Sequence, residues 1–248
     1  MLSTLSTVRR LAITMDQFKQ LPRHPAYRYE YFDSHAHITP RLQCRTAALS
    51  LDRPIPRGGS VIPFKVQLLP FVSTIWISLT NLFLDAFASH PPFAEMTDTT
   101  RRSAVRECLR RTQEGGDGKL LASASVVACD AEENPVGFAV VTLVRIRQRN
   151  AATASQQWQS FDAPHLTWIC VSPLLTRQGV GSLLLANAVA ALKAEGWRSL
   201  YSTFLDCNPP SVFWHWKNGF TLTPDRIESK SWADDEMDNE DEATQNGG

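Results

Sequence analysis

Apolar and polar positions alternate, run on, or recur at helical spacing in an order that divides this chain into elements. Tyr27–Phe32, YRYEYF, alternates aromatic and charged residues, the period of a strand with one wet face. Thr46–Leu51 is a second strand candidate. The breaker-rich DRPIPRGGS after it reads as a loop or linker and sets a boundary near Ile62. Phe64–Phe71 reads as a strand, and Ser73 or Thr74 can cap a helix over IWISLTNLFLDAF, where Ile75, Leu79, Leu82, Phe83 and Phe87 recur at helical spacing. Pro91 and Pro92 cannot continue that helix. A second helix over Thr99–Thr112 runs into the EGGDGK turn. Leu120–Cys129 and Val136–Val144 are near-continuous runs of small or β-branched residues, as in strands buried on both faces, joined by the turn DAEENP. Arg145–Pro164 is polar and reads as an irregular surface excursion.

Leu166–Phe220 then reads strand, glycine turn, helix, strand, helix. Leu166–Val171 is strand-like, Pro173 ends it, and a helix starts near Gly181, so the glycine turn lies between a strand end and a helix start. Unpaired N–H groups and the helix dipole favour an anion at such a place. Main-chain donors are expected from Gln178, Gly179, Val180, Gly181 and Ser182, making an anion cradle. A P-loop requires a Lys and a hydroxyl after its second glycine, whereas Ser182 and Leu183 follow here; a dinucleotide fingerprint requires a third glycine, and Leu184 holds that position.

Composition narrows the setting. The 248 residues suit one domain with extensions or two small ones. No apolar run approaches the roughly 18 residues of a membrane span. Lys plus Arg and Asp plus Glu number 25 each, so no global basic field points to nucleic acid. The balance hides two charged ends: the first fifteen residues hold no acid, and Asp234–Glu242 is strongly acidic. Cys44, Cys108, Cys129, Cys170 and Cys207 are odd in number and form no C-x-x-C pair, which argues for a reducing cytoplasm. Residues 1–25 are expected to be a flexible leader, 26–61 an extension of short strands, and 227–248 an acidic disordered tail.

Two constellations carry candidate chemistry. Asp33, His35 and His37 form D-x-H-x-H, which resembles the opening metal motif of the amidohydrolase family, where two imidazoles at a strand end hold a divalent ion. That resemblance implies a β/α barrel with an apolar first strand, and the strand here is polar and aromatic. Solvated imidazoles at a strand and turn are the simpler reading. The second constellation is VSPLLTRQGVGSLLL followed by N-P-P-S-V-F-W-H-W-K-N-G-F, which resembles motifs A and B of the GCN5-related N-acetyltransferases over Leu166–Phe220. The preceding order of strand, two helices and hairpin matches that family's layout and extends the domain over residues 62–226.

The resemblance implies an α/β fold with a central mixed, mostly antiparallel sheet, one splayed pair of strands, and helices on both faces. It implies acetyl-CoA as co-substrate and no metal, with the pyrophosphate on the cradle and pantetheine between the splayed strands, contacting Ile169, Cys170, Val171 and Asn208. The family pattern is Arg or Gln, two residues, Gly, one residue, Gly or Ala. Gly179 and Gly181 match it, and Thr176 stands where Arg or Gln is usual. Where the family often carries a Glu base and a Tyr acid, this chain carries His165 and His215, whose ordinary pKa suits either task. His90, Phe93 and Glu95 fall in the loop that usually walls the acceptor site. Each has a packing role as its alternative: a strand-edge His165, a His215 within an aromatic cluster, a loop plugged under the domain.

The function expected is acetyl transfer to an amine of a small molecule, protein or peptide by direct transfer, with no nucleic-acid or membrane partner and a homodimer left open. A catalytically quiet CoA-binding module of the same fold is the alternative. A hydrolase built on Asp33, His35 and His37 is the third reading.

Overall fold

The computed structural model describes residues 9–22, 27–40, 43–52, 67–72, 75–90, 92–149 and 158–228. In chain order these form β1 (Arg9–Ala12), α1 (Met15–Gln20), β2 (Tyr27–Phe32), β3 (His35–Pro40), β4 (Cys44–Ser50), β5 (Gln67–Pro70), α2 (Trp76–Phe87), α3 (Asp98–Gln113), β6 (Lys119–Leu120), β7 (Val126–Cys129), β8 (Pro135–Arg149), β9 (Trp158–Val171), α4 (Val180–Ala194), β10 (Ser199–Leu205), α5 (Pro209–Lys217), β11 (Thr221–Leu222) and β12 (Arg226–Ile227). Short 3-10 turns cover Phe93–Glu95, Ala122–Ala124 and Pro173–Leu175.

A nine-stranded sheet carries the order β11-β4-β10-β9-β8-β7-β5, with β6 and β12 also paired to β8. Every described pairing in it is antiparallel except β9 with β10, which is parallel. Helices cover both faces. Leu184, Leu185, Ala188 and Leu192 of α4 pack on Ala139, Val141, Leu166 and Leu200 on one side. On the other, Leu79 and Phe83 of α2 and Val105 and Leu109 of α3 pack on Val127, Phe138, Val140 and Cys170. This is the expected α/β architecture with a mixed, mostly antiparallel sheet.

Several expectations are corrected. Arg145–Pro164 is largely ladder, since β8 and β9 pair from Gly137/Val171 out to Arg149/Trp158. The polar residues there belong to a long hairpin, whose wet face hides a strand from a reading based on apolar runs. Leu120–Cys129 is broken by the turn at Ala122–Ala124. Part of the leader is ordered: β1 pairs with β3, and Thr14 caps α1 in a capping box with Gln17. The boundary near Ile62 and the tail from residue 229 lie outside the described residues.

The residues before the acyltransferase-like core also supply β4, which lies between β10 and β11 and is paired along its length with β10, from Cys44/Leu205 to Ser50/Ser199. Ala47 and Leu49 face the core at 1% and 4% exposure. β4 is therefore an interior strand. Leu49→Ala should lower the urea unfolding free energy of the whole domain by about 2–5 kcal/mol. An unchanged unfolding midpoint would show that the N-terminal segment is an independent appendage.

Candidate active site

The site begins where two strands part. β9 and β10 pair only at His165/Tyr201 and Leu166/Ser202. Beyond that point β9 stays with β8 to Val171, and β10 stays with β4 to Leu205. Each strand keeps its outer partner and loses the inner one, so a gap opens toward their C-terminal ends. Ser172 N–H donates to Val136 O at 2.8 Å, which fixes the phase of the ladder and turns the peptide groups of Ile169 and Val171 into the gap. A bulge at Thr167 precedes them, since Val140 pairs with Trp168 and Val141 with Leu166. The bulge resets the alternation: Leu166 faces α4, whereas Trp168 and Cys170 face α2 and α3. Cys170 is buried with its Sγ 3.7 Å from Leu82 O, and burial pushes its thiol far up. In the same phase the N–H and C=O of Cys170 face Phe138 of β8, so Cys170, expected at the pantetheine arm, turns neither its sulfur nor its peptide groups into the gap.

The gap points at the start of α4. Gly179 is its N-cap, with φ 91°, and no side chain caps the helix. The first internal bond runs from Leu183 N–H to Gly179 O at 2.9 Å, so the N–H groups of Gly179, Val180, Gly181 and Ser182 lie outside the helical ladder. Gln178 differs from its four neighbours: its N–H turns back toward Leu175 O at 3.4 Å and its side-chain amide donates to Leu174 O. At Gly181 a Cβ would stand 3.0 Å from Trp214 Nε1 and 3.6 Å from a Val171 methyl, so glycine here lets α5 press against the first turn of α4. Ser182 Oγ donates to Asn218 Oδ1 at 3.1 Å, and Asn218 Nδ2 donates to Trp214 O, a second tie between the two helices. Asn208 caps α5 by accepting from Ser211 N–H, which leaves its amide nitrogen as the group it could turn to an arm in the gap.

The two histidines flank the head of the gap on opposite faces. His165 Nε2 lies 3.2 Å from Thr203 Oγ1, and His215 Nε2 lies 2.9 Å from Ser202 Oγ. Ser202 and Thr203 are consecutive strand residues, so their side chains leave β10 in opposite directions. His165 is 8% exposed and His215 4%. Burial, with a smaller contribution from His215, pulls the His165 pKa down to about 4. Burial also takes His215 to about 4, opposed by its bond to Ser211 O at 2.8 Å. His215 stacks on Phe204 at 4.3 Å between ring centroids and meets Trp214 and Phe220 edge-on. Both imidazoles are neutral at pH 7.

The loop residues are held against α2 and α3. Phe93 is buried against Phe83 and Phe87, and Arg101 Nε donates to its carbonyl. His90 is half-buried beside Phe87, 3.3 Å from Ser89 Oγ. Glu95 lies in the 3-10 turn. Asp33 and Ser34, both with positive φ, form the two-residue turn joining β2 to β3, so D-x-H-x-H is a hairpin within the antiparallel three-stranded sheet β1-β3-β2. His35 Nδ1 donates to Asp33 O at 2.6 Å and His37 stacks on Phe32. Among the described residues no group of three His, Cys, Asp or Glu side chains converges as a metal would require. Sequence reading missed Ser202, Thr203, Thr167 and Thr142. Their signal is a set of hydroxyls in otherwise apolar strands, and it acquires meaning only once the strand register is known.

Two buried neutral imidazoles make stability depend on pH. Their folded pKa values lie below the ordinary 6.5, so their contribution is fully present above pH 6.5 and is lost as pH falls toward 4. The loss amounts to at most about 3 kcal/mol for each. Urea unfolding measured from pH 8 to pH 4 should be nearly flat above pH 7 and should fall steeply below 6.5. A curve still flat at pH 5 would show that the rings ionise normally in the folded protein.

No curated protein matches the chain. Solved structures similar to it include the PaiA N-acetyltransferase from Thermoplasma acidophilum in complex with coenzyme A, at 15% identity over 64% of this chain and 92% of that one, with TM-score 0.47. A GCN5-related N-acetyltransferase from Sphaerobacter thermophilus shares 14% identity over 89% of this chain and 58% of that one, TM-score 0.48. A putative acetyl transferase from Pyrococcus furiosus shares 14% over 64% and 95%, TM-score 0.48. The sequence pattern of the acetyltransferase (GNAT) family matches residues 78–220, more than half of the chain, from the first turn of α2 to just past the end of α5. With that match, and a parted parallel strand pair ending at an uncapped helix, the chain belongs to the acetyltransferase (GNAT) family.

Proposed function

We propose that the protein transfers the acetyl group of acetyl-CoA directly to an amine of a small molecule or peptide. The observation that carries this reading is the gap between β9 and β10, lined by the turned-in peptide groups of Ile169 and Val171 and leading to four N–H groups outside the α4 ladder. An elongated ligand with amides along its arm and a pyrophosphate at its end fits that donor set. Gly179, Val180, Gly181 and Ser182 would take the pyrophosphate. Ile169, Val171 and Asn208 would pair with the arm. When bound, acetyl-CoA supplies an activated acyl group and a thiol leaving group.

The chain's own contribution is position and proton acceptance. Holding both reactants at the head of the gap converts a bimolecular encounter into an intramolecular one. His165 and His215 are the ionisable groups at that point, and both stand unprotonated. An imidazole with so low a pKa is free to accept at any working pH and holds a proton weakly. The pH dependence of kcat/KM should therefore follow the ionisation of the acceptor amine, with no limb near pH 6.5. The acceptor is proposed to enter along the loop that carries His90 and Glu95, with Phe93 anchoring it from below. Five cysteines free of disulfides suit a cytoplasmic setting, and no described helix is long and apolar enough to cross a membrane.

The depressed histidines also favour a second reading, a CoA-binding module of the same fold without turnover. Thermal unfolding and assay separate the two. Acetyl-CoA at about a hundred times its Kd stabilises a binder by about 2.7 kcal/mol, a shift of several degrees here. Gly179→Val, which puts a β-branched residue at φ 91°, should abolish the shift with the circular dichroism unchanged. Thiol release with a panel of amines identifies the acyltransferase; a thermal shift without thiol release identifies the quiet module, and no shift at millimolar acetyl-CoA sinks both.

A further inference from the structure

His165 lies on β9 and His215 on α5, and for His165 the placement of the ring proton can be counted bond by bond. A carbonyl oxygen only accepts. Asp117 O lies 2.7 Å from Thr142 Oγ1, so the single Thr142 proton points at it. Thr142 Oγ1 lies 2.7 Å from Thr167 Oγ1, and with the Thr142 proton already placed, the proton between them belongs to Thr167. Thr167 Oγ1 lies 3.1 Å from His165 Nδ1, and with the Thr167 proton placed, the proton between those atoms belongs to the ring. The 3.4 Å contact of Thr167 Oγ1 with His165 O cannot claim it without leaving two lone pairs facing each other at 2.7 Å. Nε2 is then the bare nitrogen, and Thr203 donates to it across 3.2 Å.

We infer that Thr142 and Thr167 are positioning residues: they hold the His165 proton on Nδ1 and so aim the Nε2 lone pair at Thr203, beside the head of the gap. The chain has a rigid anchor. Asp117 is held by Arg111 at 2.9 Å, and its Oδ2 lies 2.6 Å from Thr112 Oγ1. Thr142 is fully buried, and the Thr167 bulge is what brings a hydroxyl to the Nδ1 side of the ring. Thr203 is half-buried and sits one residue past the last residue of β10 that pairs with β9, where the two strands have separated.

On the acetyl-transfer reading, from which this step follows, the acceptor amine attacks as the neutral base, and the proton its nitrogen sheds as the C–N bond forms passes to Thr203 Oγ1 while the Thr203 hydroxyl proton moves to His165 Nε2. The nitrogen is left neutral in the new amide, the C–S bond breaks, the threonine is unchanged, and the ring becomes imidazolium with its Nδ1–H still bonded to Thr167, its weakly held Nε2 proton then passing to the leaving thiolate. The opposite tautomer would present an N–H to Thr203 and could accept nothing from it.

The tautomer is read without substrate, by 15N NMR of histidine-labelled full-length protein, with the His165 signals assigned by their loss in His165→Ala. The expected spectrum shows Nδ1 protonated and Nε2 bare. Thr167→Val keeps the shape and removes the oxygen that accepts the Nδ1 proton, which leaves Thr203 Oγ1 as the hydroxyl beside the ring and should move the ring proton to Nε2. The same variant should lower kcat by about a hundredfold with KM for acetyl-CoA unchanged, and Thr167→Ser should restore both tautomer and kcat. A wild-type ring protonated on Nε2, or a Thr167→Val protein that folds and keeps both the wild-type tautomer and kcat, overturns the inference. If wild type transfers no acetyl group, the functional reading fails while the tautomer spectra still decide the positioning.

Discussion

The parting of β9 from β10 is the constraint on which the rest of this structure depends. Buried peptide groups are nearly always paired, so two neighbouring strands that separate create a demand for other partners. That demand is tolerated here because each strand is held from outside, β9 by the long ladder to β8 and β10 by β4. The gap is therefore a product of two strong pairings as much as of one lost pairing. Since β4 comes from residues 44–50, far in sequence from β10, the N-terminal part of the chain takes a direct share in keeping the gap open.

Polar groups at the head of the gap are arranged under the same rule. His165, Thr142, Ser202 and His215 are all buried, and each has a hydrogen-bonding partner. Desolvation keeps the rings neutral, and neutrality gives each ring one donor and one acceptor nitrogen. His215 Nδ1 is tied to the Ser211 carbonyl and His165 Nδ1, through two threonines, to the Asp117 carbonyl. Both rings therefore turn a bare Nε2 toward a hydroxyl of β10, from opposite faces of the sheet. The symmetry is one of bonding. Only the Thr203 side lies past the last pair in the direction in which the strands open.

Much of the second half was legible because its signals are local. Ala- and Leu-rich Val180–Ala194, the Pro-Pro after Asn208 and the N-G-F that ends α5 each act within a few residues of themselves. Phe220 N–H closes on His215 O and Gly219 N–H on Trp216 O, the paired bonds of a Schellman stop. The place of β4 was not legible, because a half-buried strand of Cys-Arg-Thr-Ala-Ala-Leu-Ser carries no mark of its partner. The outer halves of β8 and β9 were hidden by Arg145, Arg147 and Gln148, which interrupt the apolar run where β8 is flanked by β9 and the two-residue β12. The threonine chain to His165 depends on a bulge, and a bulge is a property of register between two strands.

Gly181 shows how one residue of a motif can meet a second constraint that its motif does not display. In the sequence its value lies in letting the backbone approach a phosphate. In the structure the space beside it is filled by Trp214, whose helix is also tied to α4 through Ser182 and Asn218. The turn whose N–H groups lie outside the α4 ladder is thus packed directly against the helix that carries His215. A side chain at position 181 would require the Trp214 indole to give way by a few tenths of an ångström. The first turn of α4 and the helix that carries His215 therefore meet at one packed contact, through Gly181 and Trp214.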